Sequence, residues 1–421
     1  MVQGEINVPG DKSITHRVLL AAGMAPGRSQ IRGALSSLDT RSTARLLRAA
    51  GVEINRLARG RDLIVSGLRR WRRPDDRLDC GNSGTTARLS LGILAGHPFP
   101  ATLTGDRSLR TRPMARVTQP LALMGARFEG RHPDRLPLTV RGGALRSLAW
   151  ELPVSSAQIK SALLLAGVTG KVSVRLREPG GLSRDHTERL LRSFGYVVRQ
   201  EDDGWLWFEP TGRMLAFSYD VPGDISSAAF FVAAALVADR GELTIRDVGL
   251  NPTRTGFLGV VARMGAGAEV ANRREAWDEP RGDLHVRPTV LTATTVRAAE
   301  IPGLIDEIPV LACLAARAQG TSVFEEVGEL RVKESNRLAL LAQNLRALGY
   351  VAAATDNNLT VTGSDRPPRG RVKTEGDHRI AMAFAVLGTV AGARIAIDDR
   401  TCAEVSFPGF DQLLRSVRGS R

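Results

Sequence analysis

Apolar and polar positions follow one pattern that recurs six times along the chain. Each copy has a turn rich in Gly, Ser or Asp, then an apolar stretch of helical length, a Gly, and a short strand-like run. The copies begin at Gly10, Gly81, Val154, Gly223, Gly303 and Gly376. Recurrence at about 70 residues indicates a repeated structural unit. Because the apolar stretch has no polar side, it predicts a helix that is buried within a domain.

A second predicted helix follows in each copy and is apolar on one side only. Leu46, Leu47 and Val52 form such a stripe in the first copy. In five copies this helix ends at a Gly before another strand, and Gly is the expected residue just past a helix C-terminus. The sixth copy stops inside its second helix. Each copy therefore predicts a βαβαβ(β) unit, and the chain belongs to the α/β class.

Six units of this size predict two domains of three units each. We place the first domain at residues 10–222. The second is discontinuous and comprises residues 1–9 together with residues 223–421. The segment before Gly10 is too short to form a unit, so we expect it to add a strand to the truncated last unit.

The charge of the chain suggests an anionic partner. The 421 residues carry a formal net charge of +14, which suits either a nucleic-acid surface or sites for small anions. Only 5% of the residues are aromatic, and no basic run has aromatic residues interleaved. Since single-stranded nucleic acid is bound largely by aromatic stacking, the sequence favours small anions and we expect no nucleic-acid partner.

The chain shows no sign of membrane insertion or export. Its longest apolar run, residues 228–238, is too short to span a bilayer, and the first residues lack the features of a secretory signal. Cys80, Cys313 and Cys402 have neither zinc spacing nor a disulfide pattern. We therefore expect a cytoplasmic protein with no membrane partner and no metal.

Lysine is rare, with only five among the 58 basic residues. Lys12, Lys160, Lys333 and Lys373 lie in or beside the turns that precede helices, whereas Lys171 fits a surface turn. Helix N-termini attract phosphate and carboxylate, so these turns are candidate anion sites. The polar residues there are also ordinary helix caps. Whether the lysines are placed by function or by chance stays open at this point.

Ten short motifs run through the chain from residue 8 to residue 410. They are VPGDKSITHR, GNSGTTAR, RTRPM, SSAQIKSALLLAG, SRDHTE, NPTRTG, IDEIPVLA, ELRVKESNRL, GDHRIAMAF and SFPGF. In this order they resemble the EPSP synthase (3-phosphoshikimate 1-carboxyvinyltransferase) family, in particular its class II subgroup. The resemblance implies an enolpyruvyl-transferase-like fold, in which six βαβαββ units form two pseudo-threefold domains.

The resemblance also implies a reaction. The enolpyruvyl group of phosphoenolpyruvate is transferred to the 5-hydroxyl of shikimate 3-phosphate, phosphate is released, and the product serves aromatic amino acid biosynthesis. It further implies that neither a metal nor an organic cofactor is needed, and we expect a monomer. The two small-molecule substrates are then the anions that the basic composition predicts.

The family motifs assign roles to individual residues. Asp306, Glu334 and Lys12 match the catalytic positions, with Asp306 as the base for the 5-hydroxyl and Glu334 as the acid and base at the methylene carbon. The positions implied for shikimate 3-phosphate are Lys12, Ser13, Arg17, Ser156, Gln158, Ser183, Arg184, Asp306 and Lys333. Those implied for phosphoenolpyruvate are Lys12, Asn82, Gly84, Thr85, Arg112, Gln158, Arg337, His378 and Arg379.

Some positions depart from relatives in this family. Ala157, His186 and Glu329 stand where some relatives have Ser, Tyr and Asn, and a lysine that some relatives have two residues before the C-terminal Phe-Pro is absent. An alternative function is the sister enolpyruvyl transferase that acts on UDP-N-acetylglucosamine. Members of that family have Asn after the Lys of their first motif and a Cys in the loop before the arginine that corresponds to Arg112. Here Ser13 follows Lys12, and the loop 105–112 has no Cys.

Overall fold

The computed structural model of the chain describes residues 1–132 and 134–419, and 14 α-helices lie within them. They are α1 (Lys12–Met24), α2 (Leu38–Ala49), α3 (Gly84–Ala95), α4 (Arg107–Thr111), α5 (Ala115–Leu123), α6 (Ala157–Gly170), α7 (His186–Ser193), α8 (Ile225–Leu236), α9 (Gly256–Arg263), α10 (Ile301–Leu304), α11 (Ile308–Ala315), α12 (Arg337–Ala347), α13 (His378–Leu387) and α14 (Phe410–Ser416).

The same residues contain 22 strands in six sheets. They are β1 (Gly4–Asn7), β2 (Gly27–Arg32), β3 (Glu53–Ile54), β4 (Leu63–Gly67), β5 (Leu78–Asp79), β6 (Pro100–Thr104), β7 (Arg127–Glu129), β8 (Leu138–Arg141), β9 (Leu148–Glu151), β10 (Val174–Arg177), β11 (Val197–Gln200), β12 (Trp205–Glu209), β13 (Ser218–Asp220), β14 (Leu243–Gly249), β15 (Ala268–Ala276), β16 (Glu279–Val286), β17 (Thr295–Val296), β18 (Thr321–Phe324), β19 (Val351–Ala354), β20 (Leu359–Thr362), β21 (Arg369–Val372) and β22 (Arg394–Ile397).

The sheets share one strand arrangement, which confirms the predicted repeat. In the order β5-β6-β8-β7, for example, β5 and β6 run parallel while β8 is antiparallel to both of its neighbours. Five sheets have four strands in the corresponding order, and the sixth has only β21 and β22 among the described residues. A parallel pair needs a crossover connection, and in the second, third, fifth and sixth repeats the first helix of the repeat supplies it.

The N-terminal strand differs from the expectation. It does not complete the last repeat: β1 pairs in parallel with β14, the first strand after α8, and so completes the sheet of the fourth repeat. Val2 and Gln3 contact residues 417–418, near the end of the chain. The sheet of the first repeat is completed in the same way by β13, which comes after the third repeat. The paired strands lie far apart in the sequence, so neither pairing could be predicted from the repeat pattern.

The described residues form two compact units. The N-terminal unit comprises residues 10–221 and 277–279, and the C-terminal unit comprises residues 1–9, 222–276 and 280–421. Each unit has its own apolar core. Among the described residues, every helix is too short or too polar to cross a bilayer.

The first helices of the repeats are buried, as their composition predicts. Helices α1, α3 and α6 fill the N-terminal unit, and α8, α11 and α13 fill the C-terminal unit. Helices α3 and α6 touch closely at Gly92, where an added Cβ would lie 2.0 Å from the carbonyl oxygen of Ala162. Only glycine permits that approach. Packing of the buried helices thus fixes the positions of their N-terminal turns within each unit.

Candidate active site

The start of α1 carries a cation and a hydroxyl from the predicted set. Asp11 caps the helix by accepting a hydrogen bond from the Ile14 amide at 2.8 Å, which fixes where the first turn begins. The Lys12 ammonium lies 3.3 Å from a carboxylate oxygen of Asp39 and is about a quarter exposed. The Ser13 hydroxyl accepts a hydrogen bond from Arg184 at 3.5 Å.

Arg17 lies one turn further along α1 and is buried. Its guanidinium donates to the carbonyl oxygen of Ser13 at 3.0 Å, to the Ser161 hydroxyl at 2.8 Å and to the Thr187 hydroxyl at 2.7 Å. Burial lowers the pKa of Arg17 to about 10, an effect that the charge of Glu188 opposes. The side chain is therefore still a cation at neutral pH, and it ties α1 to α6 and α7.

The start of α3 brings two further predicted residues together. Arg112 donates to the side-chain oxygen of Asn82 at 2.7 Å, and Asn82 donates to Asp106 at 2.6 Å. A Cβ added at Gly84, the first residue of α3, would lie 3.5 Å from a terminal nitrogen of Arg112. The predicted neighbours Asn82, Gly84 and Arg112 are thus in contact range.

Gln158 joins the starts of α3 and α6. Its amide nitrogen donates to the Thr85 hydroxyl at 3.0 Å, and its oxygen accepts from Arg88 at 2.6 Å. Burial, together with the nearby charge of Arg112, lowers the pKa of Arg88 to about 10. Arg88 was not predicted from the sequence. Its spacing of four residues from Gly84, one helical turn, is the signal that identifies it.

Ser156 and Ser183 offer hydroxyls in the same unit. Ser156 is the residue before α6, but its side chain makes no capping hydrogen bond, unlike Asp11 at α1 and Ser83 at α3. The Ser183 hydroxyl is buried and has no hydrogen-bond partner among the described residues. A buried hydroxyl without a partner is costly, by about 1–3 kcal/mol, so this hydroxyl is expected to be satisfied by a ligand.

In the C-terminal unit, Arg337 organises the predicted carboxylates. Its buried guanidinium donates to Glu334 at 2.6 Å and to Asp377 at 2.7 Å, and it lies 3.7 Å from Asp306. Burial lowers the pKa of Arg337, but the charges of Glu334 and Asp377 outweigh this effect and the pKa is raised. One guanidinium therefore holds both predicted acid-base residues near it.

Arg379 completes this cluster from the first turn of α13. It donates to the backbone oxygen of Asp306 at 2.7 Å and lies 3.8 Å from the Asp306 carboxylate. Asp377 caps α13 by accepting from the Arg379 amide at 2.9 Å. The neighbouring His378 is buried at the start of the helix. Glu307, which was not predicted, lies 3.7 Å from Arg379 and is buried.

Lys333 stands apart from these contacts. It follows a short 3₁₀ turn, is partly exposed, and has no hydrogen bond or ion pair with the residues that the structure describes. Within residues 1–132 and 134–419, no group of three His, Cys, Asp or Glu side chains is arranged to hold a metal. The predicted site residues described above are therefore mainly arginines, lysines and hydroxyls, with the carboxylates of Asp306 and Glu334 near the Arg337 guanidinium. That inventory suits organic anions and proton transfer.

A comparison of the sequence with known protein families identifies the family of this chain. The sequence model of EPSP synthase (3-phosphoshikimate 1-carboxyvinyltransferase) matches residues 1–414.

The chain belongs to the EPSP synthase family.

Relatives and solved structures agree with this family over the whole chain. A 3-phosphoshikimate 1-carboxyvinyltransferase of Desulfitobacterium hafniense is 47% identical and covers 100% of this chain and 96% of its own length. The structure of an EPSP synthase from Acinetobacter baumannii has a TM-score of 0.90 at 35% identity and covers 99% of this chain and 96% of that one. The expected family, fold class and enzyme activity are thereby confirmed.

A more distant structure bears on the fold alone. The enolpyruvyl transferase NikO from Streptomyces tendae has a TM-score of 0.76 at 17% identity and covers 99% of this chain and 95% of that one. The expected enolpyruvyl-transferase-like fold agrees with it. The full-length relative from Desulfitobacterium carries the shikimate name, so the alternative that acts on UDP-N-acetylglucosamine is not favoured.

Two departures from EPSP synthase relatives have visible consequences. His186, where some relatives have Tyr, is buried, and its Nδ1 lies 2.7 Å from a carboxylate oxygen of Glu279. Glu329, where some have Asn, is exposed. The residues that sequence reasoning missed are mostly charged partners of predicted ones: Asp39, Arg88, Glu178, Glu307 and Asp377.

Proposed function

We propose that this chain binds phosphoenolpyruvate and shikimate 3-phosphate and joins the enolpyruvyl group to the 5-hydroxyl, with release of phosphate. Membership of the EPSP synthase family supports these substrates. The observation that carries the proposal is the cluster of Asp306, Glu334, Arg337 and Arg379. It has two carboxylates for proton transfer and two guanidinium groups for an anion.

The proposed phosphoenolpyruvate residues are mainly cations and helix-start groups. They are Lys12, Asn82, Gly84, Thr85, Arg112, Gln158, Arg337, His378 and Arg379. Guanidinium forks suit the carboxylate and the phosphate, and the glycine leaves room for close approach of the substrate to the backbone. The contacts of Arg112 with Asn82, and of Gln158 with Thr85, support these assignments because they orient the groups.

The proposed shikimate 3-phosphate residues include most of the hydroxyls. They are Lys12, Ser13, Arg17, Ser156, Gln158, Ser183, Arg184, Asp306 and Lys333. The uncommitted hydroxyls of Ser156 and Ser183 support a phosphate ligand, since they can donate to its oxygens without breaking a bond of the fold. Lys333, with its ammonium unpaired among the described residues, can turn towards an anion at no such cost.

The chemistry requires two proton transfers in the addition step and a third in the elimination step. Asp306 removes the proton of the 5-hydroxyl while the hydroxyl oxygen bonds to C2 of phosphoenolpyruvate. Glu334 delivers a proton to the methylene carbon, which becomes a methyl group in the tetrahedral adduct. Glu334 then takes a proton back from that methyl group as the C2–O bond to phosphate breaks. The Lys12 ammonium compensates the charge that develops on the leaving phosphate.

The test is a direct assay of both products. Purified chain is incubated with both substrates, phosphate is measured continuously, and the enolpyruvyl product is identified by mass spectrometry. We expect one phosphate per enolpyruvyl product and no turnover when either substrate is omitted. Turnover with UDP-N-acetylglucosamine in place of shikimate 3-phosphate, and none with the latter, would refute the proposal.

We further propose the domain division, cellular location, oligomeric state and cofactor requirement of the enzyme. The two compact units are taken as the two three-repeat domains, and the chain works as a cytoplasmic monomer without metal or organic cofactor. Light scattering coupled to gel filtration gives the oligomeric state. Turnover that persists after exhaustive treatment with a chelator supports the metal-free part, and a mass of twice 45.3 kDa would contradict the monomer.

A further inference from the structure

Glu178 connects two segments that each carry a proposed phosphate-binding serine. It follows β10, and its carboxylate side chain is only 5% exposed. One carboxylate oxygen accepts the backbone N–H of Ser156 at 3.0 Å, and the other accepts the backbone N–H of Ser183 at 3.0 Å. A single buried side chain therefore fixes the backbone at both serines.

The charge of Glu178 is balanced by Lys160. The buried ammonium lies 2.7 Å from Glu178 and 2.8 Å from Glu188, and it donates to the carbonyl oxygen of Ser183 at 3.2 Å. Burial lowers the pKa of Lys160, but the two carboxylates outweigh it and the pKa is raised. Lys160 is thus a cation at neutral pH, and an ionised Glu178 can accept from the ammonium and from both amides.

Ser155 ties the same two segments together independently. Its hydroxyl accepts the backbone N–H of Gly180 at 3.0 Å and donates to the carbonyl oxygen of Gly181 at 3.0 Å. The segment before α6 and the segment 180–183 are therefore joined at two points. The hydroxyls of Ser156 and Ser183 take no part in either connection, and the Ser183 hydroxyl has no partner among the described residues.

We propose that Glu178 is a positioning residue that holds the Ser156 and Ser183 hydroxyls ready for one anionic group of the substrate. This inference rests on the proposed function, in which that group is the phosphate of shikimate 3-phosphate. Glu178 contacts the serine backbones and is already satisfied by N–H donors, so it does not itself touch the anion. Because its donors come from two segments, it sets the spacing of the two hydroxyls.

Glu178→Gln is the test variant, and Glu188→Gln is its matched control. Both remove one carboxylate from Lys160, but only the first changes the acceptor of the serine amides, because the new NH2 group cannot accept. We expect the Kd for shikimate 3-phosphate, measured by calorimetry, to rise about tenfold in Glu178→Gln and less than threefold in Glu188→Gln. The KM for phosphoenolpyruvate should stay within twofold in both.

A second variant covers the possibility that Glu178→Gln does not fold. Ser155→Ala keeps Glu178 but removes the other connection, and we expect a rise of about threefold in the same Kd. In a double-variant cycle, Glu178→Gln should cost less in a Ser183→Ala background than in the wild type, because the hydroxyl that it positions is already gone. Circular dichroism and thermal unfolding check that each variant is folded.

The outcomes separate this inference from the proposed function. If the wild type binds shikimate 3-phosphate and the folded Glu178 and Glu188 variants bind it equally well, the positioning role is wrong and the proposed function stands. Equal losses in both variants would assign the effect to the lost negative charge beside Lys160 and Arg17, and would also overturn the positioning role. If the wild type does not bind shikimate 3-phosphate, the proposed function fails and this inference fails with it.

Discussion

Replacing Gly84 by alanine is expected to weaken phosphoenolpyruvate binding without unfolding the protein. The added methyl carbon would lie 2.7 Å from a terminal nitrogen of Arg88, against an ordinary contact distance of about 3.4 Å. That nitrogen donates to Gln158 at 2.6 Å. A shift of the guanidinium large enough to relieve the clash therefore stretches or breaks this hydrogen bond, which helps to orient Gln158 beside Thr85.

The magnitude follows from the misplaced Gln158 amide. We expect its misorientation to remove one hydrogen bond from that amide to the anionic substrate, worth roughly 1.5 kcal/mol, which raises the KM for phosphoenolpyruvate about tenfold. The free energy of unfolding should change by less than about 1 kcal/mol, because alanine is favoured over glycine in a helix by roughly 0.5–1 kcal/mol and the guanidinium can move. Binding is thus expected to suffer much more than stability.

The assay combines steady-state phosphate release with denaturant unfolding. Gly259→Ala is the control: Gly259 is also in a helix, and an added Cβ there has no atom within 4 Å, so we expect a small gain in stability and an unchanged KM. An unchanged KM in Gly84→Ala would remove the Arg88–Gln158 pair from substrate binding. A loss of several kcal/mol in stability would show instead that the guanidinium cannot move.

Three further predictions follow from single residues. Asp306→Asn should lower kcat by roughly 10²–10⁴, the usual cost of losing a general base, and near-normal kcat would exclude that role. Lys12→Arg should lower kcat/KM by about 10², since a misplaced charge near reacting groups is costly, whereas Lys171→Arg should change the free energy of unfolding by less than about 0.5 kcal/mol. Burial lowers the pKa of His16 to about 3; the unfolded state therefore binds a proton below pH 6.5 that the folded state does not. As the pH is lowered from 6.5 to 4, the free energy of unfolding of the wild type should fall more steeply than that of His16→Gln, by about 1.4 kcal/mol per pH unit. Parallel pH profiles of the two proteins would contradict the burial of a neutral His16.

The fold was largely predictable because its requirements are local. A buried first helix needs an apolar composition on all sides, and close helix packing needs glycine at positions such as Gly92, so both leave a periodic mark in the sequence. The pairings of β1 with β14 and of β13 with β2 leave no such mark. They depend on which free sheet edge a distant strand meets, and neither strand has a pattern that specifies its neighbour.

The site was predictable where it coincides with a motif and unpredictable where it depends on a partner. Arg337 and Arg379 were singled out, but the sequence did not show that the caps and counter-ions around them, such as Asp377 and Glu307, share the same cluster. Glu178 was missed for the same reason, because its partners lie 22 and 5 residues away on different segments. Pairing of buried charges is a property of the folded chain.

Lys160 shows that a rare residue type does not by itself mark a ligand contact. Its ammonium has three protons and meets three acceptors, Glu178, Glu188 and the carbonyl oxygen of Ser183, at a side chain that is 3% exposed. A planar, larger guanidinium does not fit that arrangement, so the fold alone explains lysine there. Lys12 is different, because its side chain is 26% exposed and its ammonium lies 3.3 Å from the Asp39 carboxylate. We therefore expect the bound anion, and not the fold, to require lysine at position 12, and a severe Lys12→Arg phenotype with intact stability would support this role of the anion.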